Sequence, residues 1–227
     1  YRAVPIIFKT VIEKNAWRGF PCRMPKALLK DIVKHCDRTL RIDAITDYDG
    51  AVNGLQVENN GKVSRIAAAV DASLATVRKA AAQKADLLLV HHGLFWNPQQ
   101  AWVGKKRDLI GALVENSMAV YRAHLPLDLH PRLGNNIGLF RALKFTKPKP
   151  FFEEHDQHIG LQVNTRLCRD ILASRLKTIL DAPPVLLRGG PSVCNKIGIV
   201  TGGAGGSLAQ ASAEGVDTFI TGEGPHW

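Results

Sequence analysis

The sequence predicts an α/β protein of two lobes, and three observations carry that prediction. Short apolar runs of strand length alternate with helical patterns along the first half of the chain. The run Leu87 to Val90 is almost continuously apolar, as in a strand buried on both faces of a parallel sheet. The stretch Thr146-Lys147-Pro148-Lys149-Pro150 then breaks the pattern and marks a lobe boundary.

Taken in order, an amphipathic helix begins near Ala27, with Leu28, Ile32, Val33 and Cys36 at helical spacing. A turn-rich loop, 43–54, leads to Asn53-Gly54-Leu55-Gln56-Val57. A strand over 65–70 follows, then Asp71 or Ser73 as the cap of a helix over 74–83. A strand over 87–90, a helix over 106–115 and a strand over 118–123 continue the alternation. A polar loop, 128–136, precedes a helix from about Ile137. The smaller middle lobe, 146–190, holds a strand over 158–163 and a helix over 166–180. Pro183-Pro184 and Gly189-Gly190-Pro191 mark the return, and strands over 196–200 and 218–220 flank a helix over 207–215. The larger lobe is accordingly expected to comprise 24–145 and 191–227.

Residues 1–23 carry Arg2, Lys9, Lys14, Arg18 and Arg23 against Glu13, a net of +4. They are expected to lie outside the fold, either as a targeting peptide or upstream of a start at Met24. The absence of serine and of a cleavage-like motif favours the second. The remaining +6 of the chain's +10 is spread over many elements, a weak case for a nucleic-acid partner. No window holds the roughly 18 uninterrupted apolar residues of a membrane span. Four scattered cysteines form no C-x-x-C pair, which argues against a disulfide framework and for a reducing cytoplasm.

Chemistry is expected where apolar strands end. His91 and His92 stand at such an end, at the carboxyl edge where open α/β sheets bind ligands. Successive strand residues face opposite ways, so both rings reach one pocket only if the backbone turns there. In Ala123-His124-Leu125-Pro126-Leu127-Asp128, imidazole and carboxylate donors again follow an apolar strand. Asp128 is a candidate ligand; His124 is left as ligand, ligand-orienting partner or structural residue. Asp71 either orients a ligand or caps the following helix. Glu223, in Thr221-Gly222-Glu223, is expected at the same sheet edge. The glycine loop 201–207 offers backbone N–H groups to an anion, though close packing explains it as well, and Gly134-Asn135-Asn136 is equally open.

These motifs in this order resemble the dinuclear-metal proteins of the NGG-one-interacting factor three type, the type 2 homologues of GTP cyclohydrolase I. The resemblance runs from about Lys26 to the C-terminus. It implies a larger lobe with a mixed sheet and flanking helices built from both chain ends. It also implies a ring-shaped homo-hexamer, and two divalent ions (Fe, Zn, Mn, Co or Ni) held by His91, His92 and Asp128. His124 and Glu223 match motif residues near that site and are the candidates for proton transfer. The family pattern continues beyond Thr-Gly-Glu with a helix, a strand and a Gly-His-x-x-Thr-Glu-like motif carrying further ligands. This sequence ends at Gly224-Pro225-His226-Trp227 and is expected to be incomplete there.

The functional expectation is a metal-dependent hydrolase, GTP cyclohydrolase-like or phosphoesterase-like, acting on a small molecule or nucleotide. Its rival is a non-catalytic metal-binding scaffold or regulatory protein in a ring oligomer.

Overall fold

The computed structural model describes residues 26–96 and 100–224; the extension 1–23 and His226 lie outside them. The described chain divides into two compact units, 26–130 and 131–224.

The first unit opens with β1 (Ala27–Leu28), α1 (Leu29–Leu40), β2 (Gly54–Val57) and β3 (Lys62–Val63). It continues through β4 (Ile66–Asp71), α2 (Leu74–Ala82), β5 (Leu87–His92), α3 (Lys105–Glu115), β6 (Ala119–Arg122) and the single turn α4 (Leu125–Asp128). The first two residues of the expected helix pair instead with β3, and the helix starts at Leu29.

Its main sheet has the order β2-β6-β5-β4, parallel except for antiparallel β2 at one edge. β5 is central, which explains its apolar run. Leu88 and Val90 pack with Val77 and Ala80 of α2 and Leu109 and Leu113 of α3. On the other face, Leu87 packs with Leu29, Ala119 and Tyr121, and Ile32, Val33 and Cys36 of α1 close over them. The Tyr121 hydroxyl donates to Asp37 Oδ1 at 2.8 Å, which fastens α1 to β6; burial first, and then this bond, push the phenol pKa well up.

Ahead of β5, the Asp86 carboxylate accepts bonds from the Ser64 and Arg65 amides and the Ser64 hydroxyl. Partial burial works against its ionisation, but these bonds outweigh burial and lower its pKa. A lowered folded-state pKa adds stability that is present above the unfolded value of about 3.9 and vanishes as pH falls through the folded value. Asp86→Asn is therefore expected to be less stable than wild type at neutral pH, with a difference that closes in acid. Urea midpoints across pH check this; an unchanged gap well below both pKa values contradicts it.

The second unit holds α5 (Asn135–Ala142), β7 (Lys149–Glu154), β8 (Gln157–Cys168), α6 (Arg169–Leu180), β9 (Val193–Val200), α7 (Leu208–Ala213) and β10 (Thr218–Thr221). Its sheet has the order β10-β9-β8-β7, with β9 and β10 parallel and the other pairs antiparallel. This pairing differs from the expected division. Strands β9 and β10 join the strands of the supposed middle lobe, and within the described residues the sheet bearing His91 is built from 54–122 alone. The cause is one shared apolar core: Ile197 and Ile199 of β9 pack with Val163 of β8, Leu172 and Leu176 of α6, and Ile137 and Phe140 of α5.

The Gly134-Asn135-Asn136 motif is structural at Asn136. That side chain is 3% exposed, donates Nδ2 to Ile159 O at 2.7 Å and accepts from the Thr201 amide at 2.7 Å. The glycine loop 201–207 is a packing turn. Gly205 N donates to Glu223 O at 3.1 Å, and a Cβ at Gly205 would lie 2.3 Å from that oxygen. Among the described residues no helix is long and apolar enough to cross a membrane.

Candidate metal centre

Register brings the first donors together. β4 and β5 run parallel with Asp71 opposite His92, so those side chains share a face. The ladder extends beyond this pair, since the Ala72 amide donates to His92 O at 2.9 Å. On the far side β6 ends at Arg122, and His124 lies just beyond it. The turn α4 begins at Leu125, with proline in its first turn, and its Leu127 and Asp128 amides donate to His124 O at 2.9 and 3.1 Å. That turn brings Asp128 Oδ2 to 3.4 Å from His91 Nε2.

Three imidazoles converge. Ring centroids are 4.6 Å apart for His91 and His92, 4.9 Å for His91 and His124, and 5.6 Å for His92 and His124. One donor atom from each lies within 4.8 Å of the others, a spacing one metal ion can bridge.

The outer nitrogens show how the rings are oriented. His91 Nδ1 meets Ala123 O at 3.0 Å, His92 Nδ1 meets Asp71 Oδ1 at 2.8 Å, and His124 Nδ1 meets Asp47 Oδ1 at 2.8 Å. Each partner is an acceptor, so Nδ1 carries the hydrogen and Nε2 is the nitrogen each ring can offer to a metal. A ring anchored through one nitrogen to a carbonyl or carboxylate is the arrangement that orients histidine for a metal. Burial, aided by His92, His124 and Arg122, lowers the His91 pKa to about 4, so this ring is neutral at pH 7. His91 Nε2 and an Asp128 oxygen then face one another as two acceptors, an arrangement that a cation between them would relieve.

His91 thus lies beside both His92 and Asp128, and His124, left open by the sequence, joins the two histidines in the cluster. Asp71 holds His92, whereas Ser73 caps α2 by accepting from Thr76 N at 3.2 Å. Glu223 belongs to the other unit. It follows β10 in the other sheet, is exposed, and its amide donates to Gly202 O at 2.9 Å. The expectation of a shared sheet edge for Glu223 fails because β10 pairs with β9 rather than with β4–β6.

Sequence reasoning missed Asp47 and Asn53. Asn53 Nδ2 donates to Asp47 Oδ2 at 2.7 Å, and Asn53 Oδ1 accepts from the His124 amide at 2.9 Å. Burial alone would raise the Asp47 pKa, but bonds from His124 and Asn53 and the charge interaction with His124 bring it down to about 2. Asp47 lies 77 residues from His124 in a loop of turn formers, so spacing gave no signal. Gln56 acts similarly: its Oε1 accepts from Leu94 N at 2.7 Å, and a Cβ on Gly93 would overlap that carboxamide. The Asn-Gly-Leu-Gln-Val motif therefore supports the histidines from below.

Asp47→Ala should lower metal affinity about 10–100-fold while leaving the triad's own atoms in place. Zinc competition against a chromophoric chelator measures this; unchanged affinity would show that His124 needs no such anchor.

An α/β sheet whose carboxyl edge carries a histidine cluster backed by carboxylates defines a candidate metal-binding protein. The sequence profile of the Duf34/NIF3 (NGG1p interacting factor 3) family matches residues 27–226, and the chain belongs to that family. It is 38% identical over 200 residues to the GTP cyclohydrolase 1 type 2 homolog of Deinococcus radiodurans, covering 86% of this chain and 74% of that one. The protein of the same name from Halobacterium salinarum is 41% identical over 204 residues, covering 86% and 79%. The crystal structure of TTHA1606 from Thermus thermophilus superposes with a TM-score of 0.78 at 33% identity, covering 88% of this chain and 79% of that one.

Proposed function

We propose that the chain is a divalent-metal protein of hydrolytic type, with His91, His92 and His124 as nitrogen donors and Asp128 as the adjoining carboxylate. The observation that carries this reading is the shared orientation of three rings, each tied at Nδ1 to an acceptor, with one donor atom of each within 4.8 Å of the others. The donor set fits Zn, Fe, Mn, Co or Ni, and a carboxylate beside a histidine can extend such a site to a second ion. A bound divalent ion would supply Lewis acidity, polarising a substrate oxygen and acidifying water near neutral pH.

The chain's own residues do the rest. His91 is already neutral and yields its lone pair without losing a proton. His124, backed by the Asp47 carboxylate, is arranged to accept a proton at Nε2 when it is not serving as a ligand. Glu223 has no part in this reading. Assembly into a hexameric ring belongs to the proposal and rests on family resemblance; light scattering on the purified protein tests it.

Incubating the purified chain with Mn, Zn or Fe and either GTP or a phosphodiester panel tests the hydrolase reading. Turnover that requires metal and disappears in His91→Ala is expected. Stoichiometric metal without turnover above that variant would overturn it in favour of a scaffold.

A further inference from the structure

The most unusual group beside the cluster is Arg122. It ends β6 with a fully buried side chain, and its Nε donates to His91 O at 3.4 Å. Both remaining nitrogens, Nη1 and Nη2, are buried without a hydrogen-bond partner. Its guanidinium carbon lies 3.8 Å from the centroid of the Trp96 ring. That indole in turn meets His124 edge-on at 5.1 Å and His92 at 6.1 Å. Asp47 interacts with the guanidinium only through space, and burial depresses the Arg122 pKa more than that carboxylate restores it.

An unpaired buried guanidinium edge is costly, and native structures rarely keep one without a role. Stacking on an indole occupies the face of the guanidinium and leaves its in-plane edge for ligands. The paired Nη1 and Nη2 hydrogens match two oxygens of a phosphate or carboxylate. A buried cation beside a site suited to a metal cation also favours an anion between them. We infer that Arg122 anchors an oxyanion-binding subsite beside the histidine cluster, shielded by Trp96, for a small molecule carrying a phosphate or carboxylate group. The subsite deepens the metal-site reading, yet it stands on the guanidinium and its surroundings.

The test is calorimetric titration of the full chain with inorganic phosphate and, separately, acetate, both as purified and after chelator treatment. Wild type should bind at least one of the two saturably, and the preferred anion identifies the ligand group. Arg122→Gln should weaken that binding by about tenfold or more with an unchanged melting temperature. If Arg122→Gln does not fold, Arg122→Lys takes its place; it keeps the charge, lacks the fork, and should show a comparable loss. Trp96→Ala, which removes the ring stacked on the guanidinium face but keeps the Nη1–Nη2 edge, should still bind the same anion saturably, and a complete loss of binding would contradict recognition by that edge. Absence of saturable binding in wild type, or binding indifferent to the Arg122 variants, overturns the proposal. Zinc uptake measured on the same samples separates the two readings. Anion binding that depends on Arg122 in a chain that takes up no zinc would refute the metal site and leave the subsite standing.

Discussion

His91→Ala is expected to lose about two orders of magnitude or more in zinc affinity. Apparent binding energies of four-ligand structural zinc sites are about 10–16 kcal/mol, so one ligand contributes roughly 3 kcal/mol. His91 should sit at the upper end because it acts on two neighbours. Its ring is 4.6 Å from His92 and 4.9 Å from His124, and its Nε2 lies 3.4 Å from the Asp128 carboxylate. Removing it leaves Asp128 without that partner and opens space at the centre of the cluster. Competition with a chelator of known affinity measures the loss, and far-ultraviolet circular dichroism confirms that the variant is folded. A change below about threefold would show that the ring is structural, held by Ala123 O for packing alone.

Asn136→Leu should be the most destabilising single change proposed for the second unit, lowering stability by about 2–5 kcal/mol. The side chain joins α5 to β8 through Ile159 O and to the end of β9 through the Thr201 amide, both at 2.7 Å. Leucine has similar bulk but satisfies neither group, and each orphaned buried partner costs about 1–3 kcal/mol. Against a typical total of about 5–15 kcal/mol, such a loss would be plain in a urea titration as a lower midpoint with an unchanged slope. A shift worth less than about 0.5 kcal/mol would mean that water satisfies both groups once the amide is gone.

Much of the architecture was legible because burial writes itself into local pattern. The apolar run before His91 marks a central parallel strand, and the helical spacing of Ile32, Val33 and Cys36 marks the face of α1 on that sheet. The assignment of β9 and β10 was not legible. An apolar strand such as 196–200 pairs equally well with either sheet on local grounds, and the contacts of Ile197 and Ile199 with Phe140 and Leu172 decide the matter only in three dimensions. In the candidate site, the proximity of His91, His92 and Asp128 was legible because all three follow strand ends at one sheet edge. Asp47 was hidden because its partner is remote in sequence, and a carboxylate in a turn-rich loop is ordinarily a local capping group. Arg122 was hidden for a different reason. Arginine at a strand end usually reaches solvent, and only the packing of Trp96 over it reveals a buried charge.

The central claim is that His91, His92 and His124 bind one metal ion through their Nε2 atoms, and X-ray absorption at the zinc edge of the zinc-loaded chain tests it most directly. The account predicts imidazole scattering from three histidines, with Zn–N distances of about 2.0–2.1 Å, reduced to two in His124→Ala. A first shell of oxygen alone, or one unaltered by that substitution, would contradict it.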